Sequence, residues 1–253
     1  MPEALLWSRM EGAGPTVVFL HGFMESSTMW DYLPLNTLPY QRLFIDLPGH
    51  GQSVLLTGEG DPSIVQMAEH VAEVLSALNV QQFDVVGHSM GGYVALELKK
   101  SMRACGRVVL LNSNFWADTE EKKRDRIRVA DLAFKAKDLL VQQAIPGLFY
   151  RKEMDNDPCQ ALIREAKQLL PESIAYAALA MRNRADHSET IVSYPNDFLL
   201  VHGENDPLIN REVIREKTAK LPVKVHILPN AGHMAHIEQS AEIQNLLASF
   251  LCD

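Results

Sequence analysis

The chain has 253 residues, 47% of them hydrophobic, and a formal net charge of -8 from 24 basic and 32 acidic side chains. That length suits one α/β domain carrying an insertion, and the apolar share is enough for a large core. The acidic balance excludes a nucleic-acid binder, which presents the opposite sign to phosphate.

Thr16–Leu20 and Arg42–Ile45 read as short strands: runs of aliphatic and aromatic residues without polar alternation, as expected when both faces of a sheet are covered. Ile64–Leu78 reads as a helix with Val65, Ala68, Val71, Ala72 and Leu75 on one face, Pro62 near its start and Asp61 as its cap. Phe83–Val86 is the next strand and Gly91–Leu98 a helix directly after it. Arg107–Leu111 is a further strand. From Asn114 to about Asp186 the strand signal stops. Asp118 with Glu121 three residues later has the pattern of a capping box, and helical segments follow around Cys159–Leu170 and Pro171–Arg184. Strands return at Phe198–Val201 and Val223–Ile227, and the last helix runs through Ile243–Phe250. The fold class is therefore α/β, with a mostly parallel sheet formed by residues 1–113 and 187–253 and a helical cap inserted at 114–186. Such a cap lies over the carboxyl ends of the strands, where open α/β sheets bind ligands.

Cys105, Cys159 and Cys252 are far apart and odd in number, so they form neither a disulfide framework nor a CxxC metal pair. Free thiols suit a reducing compartment. MPEALLWSRMEG has no basic start and no long apolar run, unlike a signal peptide, and no stretch approaches the roughly 20 apolar residues of a membrane helix. The expectation is a cytoplasmic protein with no membrane or nucleic-acid partner. The one basic cluster, Lys122–Arg124, is interleaved with acids and reads as a solvated helix face.

The stretch DVVGHSMGGYVAL holds the chemistry. Gly87-His88-Ser89-Met90-Gly91 is G-x-S-x-G between a strand and a helix. A serine at so sharp a turn is held in strained backbone, and side chains two residues before or after it would collide with the strand and helix. Its hydroxyl then stands at a helix N-terminus, where developing negative charge is favoured. Without that flanking context the motif is an ordinary glycine-rich turn. A dinucleotide fingerprint is excluded, because residues 87–92 do not read G-x-G-x-x-G.

A serine needs a base to take its proton. His233, in the loop after the last strand, is the candidate. His236 belongs to the final helical segment and packs; with His233 it also makes H-x-x-H, although no third metal ligand accompanies the pair. The base needs an acid to hold its tautomer. Asp206 and Glu204 compete for that role in LLVHGENDPLI, and Asp206 is preferred because the chain must first turn at Gly203. The loop after Arg107–Leu111 offers Asn112, Ser113 and Asn114 but no carboxylate before Asp118. Backbone N–H groups of Met90 and Phe23 are the expected oxyanion donors, with His21 shaping the loop. His88, Phe115, Trp116, Phe149 and Tyr150 are expected to line the substrate pocket, although each cap aromatic, Phe134 and Tyr176 included, also suits the cap's own core.

The chain resembles the α/β-hydrolase fold superfamily through His21-Gly22-Phe23, the D-x-P-G-x-G-x-S stretch at 46–53, Gly87–Gly92, Gly203–Asp206 and Ala231–His233. These motifs span nearly the whole chain, and Ser, Asp, His is the order associated with that superfamily. The resemblance implies an eight-stranded, mostly parallel sheet with a helical cap, and a fold-marking turn at 46–53 without a chemical role. The oxyanion loop departs from the usual pattern in reading HGFMES, without a second glycine. The expected activity is hydrolysis of a carboxylic ester or related small acyl compound through an acyl-enzyme, with no cofactor or metal. The net charge argues against very acidic substrates. The same scaffold also serves carbon–carbon bond hydrolases, a lyase-type synthase, lactonases, haloperoxidases and ligand receptors that turn over slowly. The synthase reading would call for cap arginines facing Ser89, among Arg124, Arg126, Arg128, Arg182 and Arg184.

Overall fold

In the computed structural model, which describes residues 5–150 and 157–252, the apolar runs pair into one sheet. Its strands are β1 (Ser8–Glu11), β2 (Thr16–Leu20), β3 (Gln41–Ile45), β4 (Phe83–His88), β5 (Cys105–Leu111), β6 (Phe198–Gly203) and β7 (Lys224–Leu228). They lie in the order β1-β3-β2-β4-β5-β6-β7. β1 runs antiparallel to β3, and all other pairs are parallel. Among the described residues there are thus seven strands where eight were implied. β1 escaped the sequence reading because, as an edge strand with a single neighbour, it keeps polar residues such as Arg9 and Glu11.

The interior runs are apolar throughout because alternate residues feed two cores. Val18 and Leu20 point to the face that holds Met67, Val71, Leu75, Val94 and Leu98. Val17 and Phe19 point to the opposite face, with Met29, Trp30, Ile243, Leu247 and Phe250. The helices are α1 (Ile64–Ala77), α2 (Met90–Ser101), α3 (Glu120–Ala144), α4 (Asp157–Ala166), α5 (Pro171–Arg182), α6 (Ser188–Ser193), α7 (Arg211–Thr218), α8 (Ala235–Glu238) and α9 (Ser240–Cys252). α1 and α2 cover the first face. α9 and a 3₁₀ turn at Ser27–Tyr32 cover the second.

Two helix starts differ from the sequence expectation. α1 is capped by Ser63, whose hydroxyl accepts from the Gln66 N–H at 3.2 Å. Asp61 stands too far upstream to reach the first turn. α3 is capped by Thr119, which accepts from the Lys122 N–H, while Asp118 turns away to two arginines. α3 breaks at Ala136 (φ -157, ψ 47). Beyond the break its side chains join α4 and α5 in a separate apolar cluster that includes Val141, Ile145, Phe149, Leu162 and Ile174.

The 46–53 turn acts as a clamp. Asp46 accepts from the Ser27 and Gln52 N–H groups at 2.8 and 2.9 Å. Ser53 Oγ donates to the Asp46 carbonyl and accepts from the Trp7 N–H. Cys105 and Cys159 are buried; the side chain of Cys252 lies outside the described residues. No helix among the described residues is long and apolar enough to cross a membrane.

Candidate active site

The chain steps from β2 to β3 on one side and then to β4 on the other, so the loops after β2 and β4 diverge. That divergence opens a crevice at the carboxyl edge of the sheet. The loop at 21–25 and the turn at Ser89 both lie there.

Ser89 sits between β4 and α2 with φ 48 and ψ -112, a left-handed conformation that costs a non-glycine residue about 1–3 kcal/mol. Its surroundings enforce that geometry. The Ser89 N–H donates to the Leu111 carbonyl at 3.0 Å, and Ser113 Oγ donates to the Ser89 carbonyl at 2.7 Å. A Cβ on Gly87 would stand 2.4 Å from the Gly91 carbonyl oxygen, and one on Gly91 would stand 2.3 Å from that of Leu20. The flanking glycines therefore let strand, turn and helix close on one another.

β6 ends at Gly203, and Asp206 follows in its loop. Its Oδ1 accepts from the Leu208 and Ile209 N–H groups at 2.8 and 3.1 Å. Its Oδ2 meets His233 Nδ1 at 2.8 Å and Asn112 Nδ2 at 2.9 Å. Burial alone would raise the Asp206 carboxyl, but His233 and the Asn112 amide outweigh it and hold it far below the usual carboxylate range. Glu204, its competitor, pairs instead with Arg211 on the surface. The His233 loop is tied on both sides: its N–H donates to the Leu148 carbonyl at 2.8 Å, and its carbonyl lies 2.9 Å from His88 Nε2. His236 is fully buried, its ring 4.9 Å from that of His88.

A cavity of about 680 Å³ opens over this edge, with Ser89, Phe23 and His233 in its wall. Its far walls are Val129, Leu140, Ala144 and Ile145 of the helical segment and Leu208 and Val213 after β6. A groove of about 780 Å³ between the 46–55 turn and Gln168–Ser173 holds none of Ser89, Asp206 or His233.

Of the aromatics expected to line the pocket, only Trp116 faces this cavity. Phe115 is packed against the sheet in the main core. Phe149 is buried in the α3–α4–α5 cluster. Tyr150 is exposed, and its N–H is bonded to Glu238. His88 is fully buried behind the cavity against Glu25. Packing claimed the rings of Phe115 and Phe149, the usual fate of a large apolar side chain. Of the five arginines, Arg126 and Arg184 reach the cavity wall. Asp118 holds both, at 3.2 Å from Arg126 Nε and 2.7 Å from an Arg184 Nη, and the Arg184 guanidinium also stacks 4.2 Å over the Tyr93 ring.

Sequence reading missed Asn112 and Glu25. Asn112 counted only as the absence of a carboxylate, yet its amide bridges Asp206 and the Gly232 carbonyl. The signal was its place, a polar residue immediately after a strand at the ligand-binding edge. His21 shapes its loop as expected: Nε2 accepts from the Leu47 N–H and Nδ1 contacts the Gly22 carbonyl, each at 2.8 Å.

A model of the alpha/beta hydrolase family matches residues 17–244. The chain belongs to the α/β hydrolase family. Within this enzyme family it is 28% identical over 256 residues to a 2-succinyl-6-hydroxy-2,4-cyclohexadiene-1-carboxylate synthase of Escherichia coli, covering 94% of each chain. Among solved structures, a thermophilic esterase from Thermogutta terrifontis superposes with a TM-score of 0.88 at 25% identity, covering 98% of this chain and 93% of that one. An enol-lactonase from Burkholderia xenovorans shares the fold, with a TM-score of 0.86 at 21% identity over 98% of this chain and 96% of its own.

Proposed function

We propose that the protein hydrolyses small carboxylic esters or related acyl compounds through an acyl-enzyme on Ser89. The observation that carries this reading is the His233 ring. Its Nδ1 is 2.8 Å from a carboxylate that only accepts, so that nitrogen bears the hydrogen. Nε2 is left as the lone pair that takes a proton from the serine lining the same cavity. Ser89 Oγ attacks the carbonyl carbon, and His233 accepts the hydroxyl proton and passes it to the departing alcohol. Asp206 keeps the imidazole in this tautomer and stabilises the cation it becomes. The tetrahedral oxyanion is received by the N–H groups of Phe23 and Met90. Met90 opens α2, and first-turn N–H groups have no partner within their helix. Water activated by His233 then releases the acid. The helices between residues 120 and 182 serve as the cap, and their aliphatic wall favours an uncharged acyl chain.

A second reading has a specific observation behind it. The synthase relatives cover nearly the whole chain, and Arg126 and Arg184 stand on the cavity wall as a carboxylate-bearing substrate would require. Against it, both arginines are already paired with Asp118, whose carboxylate offsets one of their two charges.

Hydrolysis of p-nitrophenyl esters from acetate to octanoate, by wild type and Ser89→Ala, separates these readings. Many turnovers that vanish in Ser89→Ala support the esterase and rank chain lengths. Fluorophosphonate labelling of Ser89 without ester turnover moves the assignment to the synthase reaction or a receptor. Absence of labelling ends the nucleophile assignment.

A further inference from the structure

Directly behind Ser89 lies a buried carboxyl–imidazole contact that the reaction above leaves without a role. Glu25 and His88 are 63 residues apart in the chain and both buried. Glu25 Oε2 is 2.9 Å from His88 Nδ1 and accepts the Gly22 N–H at 2.6 Å. The other ring nitrogen, Nε2, is 2.9 Å from the His233 carbonyl oxygen. Each ring nitrogen therefore faces an oxygen acceptor. A neutral imidazole has one N–H and one lone pair, and could satisfy only one of them. The remaining contact would be left buried and unmade, which burial penalises. An imidazolium donates to both.

We propose that Glu25 and His88 form a buried carboxylate–imidazolium pair that positions the three loops of the active site on one another. The proposal rests on the roles given above to Phe23, Ser89 and His233. Glu25 holds the Gly22 amide, one residue before the Phe23 donor. His88 is bonded in sequence to Ser89. Its Nε2–H grips the main chain of the base. The oxyanion loop, the nucleophile turn and the base loop thus meet at one charged pair, and a misplacement of 1 Å among such groups costs about 10²-fold in rate.

The surroundings agree. A Cβ on Gly22 would stand 2.5 Å from Glu25 Oε2 and 2.8 Å from His88 Nδ1, so only glycine leaves room for the pair. Burial disfavours both charges, yet His88 outweighs it at Glu25, whose carboxyl falls to about 2. Glu25 in turn lifts His88 above 6.5 against its burial. The other titratable groups facing the pair are His21, His50, His202, His233, His236 and Asp206. His236 is pushed by burial to about 3 and stays neutral.

The test has two parts. In the full-length wild type labelled with ¹⁵N-histidine, both ring nitrogens of His88 should carry protons at pH 7, where an ordinary imidazole is mostly neutral. A bare nitrogen at that pH, meaning a neutral imidazole, would overturn the proposal without reference to activity. The second part is the rate of Ser89 modification by a fluorophosphonate against pH. Glu25→Gln keeps the volume and removes the charge, so His88 loses its proton more easily. The variant should fall about 10²-fold at alkaline pH and recover part of that loss toward pH 6. His88→Gln, with no titrating ring, should lose rate evenly across the range. A Glu25→Gln profile parallel to wild type, or a wild-type rate in His88→Gln, would reduce the pair to packing and sink the positioning role. A wild type that does not react at all would end the Ser89 reading instead, while the nitrogen spectra still decide the state of the pair.

Discussion

At the scale of single residues, the candidate site turns on how the acceptors of Asp206 are satisfied. Asp206 spends both oxygens: two loop N–H groups on one, a ring nitrogen and an amide on the other. Replacing it with asparagine turns its amide N–H either onto the Leu208 and Ile209 N–H groups or onto the Asn112 amide and His233 Nδ1 together. The backbone donors oppose the first arrangement, and the second favours the wrong tautomer of His233. Asp206→Asn is expected to lower the acylation rate about 10⁴-fold with little loss of folded protein, as read by ester hydrolysis beside circular dichroism. Asn112→Ala removes one donor to the carboxylate and should give a smaller loss of the same kind, about 10-fold, the equivalent of one hydrogen bond to a charged group. Ser89 and Gly87 were legible from the motif because strain and close approach permit few residue types. Glu25 was not, because nothing local in its segment requires it; only its partners do, and Asn112 offered no more than its place after a strand.

At the scale of elements, the start of α3 shows how one residue's misreading changes an assignment. Asp118 and Thr119 are adjacent and both suit a helix cap. Thr119 takes that role, and Asp118, nearly buried, joins Arg126 within α3 to Arg184 just beyond α5. The two positions should therefore respond differently. Thr119→Ala loses a cap, about 1 kcal/mol. Asp118→Ala strands the buried Arg184 guanidinium and should cost about 3–5 kcal/mol. Denaturant titration of both variants measures the difference, and equal losses would contradict the structural assignment. On the sheet, Phe19 packs edge-on against Trp30 with ring centroids 5.3 Å apart. Truncating it to alanine is expected to cost about 3–5 kcal/mol. The strands were readable in advance because each interior run serves two cores. Helix faces were readable in part: on α1, Ala68, Val71 and Leu75 are buried as expected while Val65 is exposed, and the owner of each cap and each aromatic was settled by packing.

At the scale of the whole molecule, a layer of buried histidines makes stability depend on pH. Burial holds His50 and His236 near 3 and His202 near 4, against about 6.5 for an exposed ring. These groups are neutral when folded and take up protons when unfolded. Their contribution is complete above pH 6.5 and erodes as the pH falls toward their folded values, by about 1.4 kcal/mol per pH unit for each ring. Glu25 and Asp206, held low when folded, add a loss of the same sign below about pH 4.5. His88 opposes them: held high, it stabilises fully below pH 6.5, and that part is lost as the pH rises through its folded value. The melting temperature should therefore fall steeply between pH 6.5 and 5, and a flat profile across that interval would contradict the buried neutral state of these rings. By itself the sequence determined the alternation of strands and helices, the serine turn, and the order of the proposed nucleophile, acid and base. Those features follow from burial on two faces and from backbone that few residues tolerate, and both are written locally. Tertiary structure alone decided which polar groups meet: Glu25 with His88, Asp118 with two arginines, Asn112 with Asp206. Such partners are distant in the chain, and only the folded sheet edge brings donor and acceptor within bonding distance.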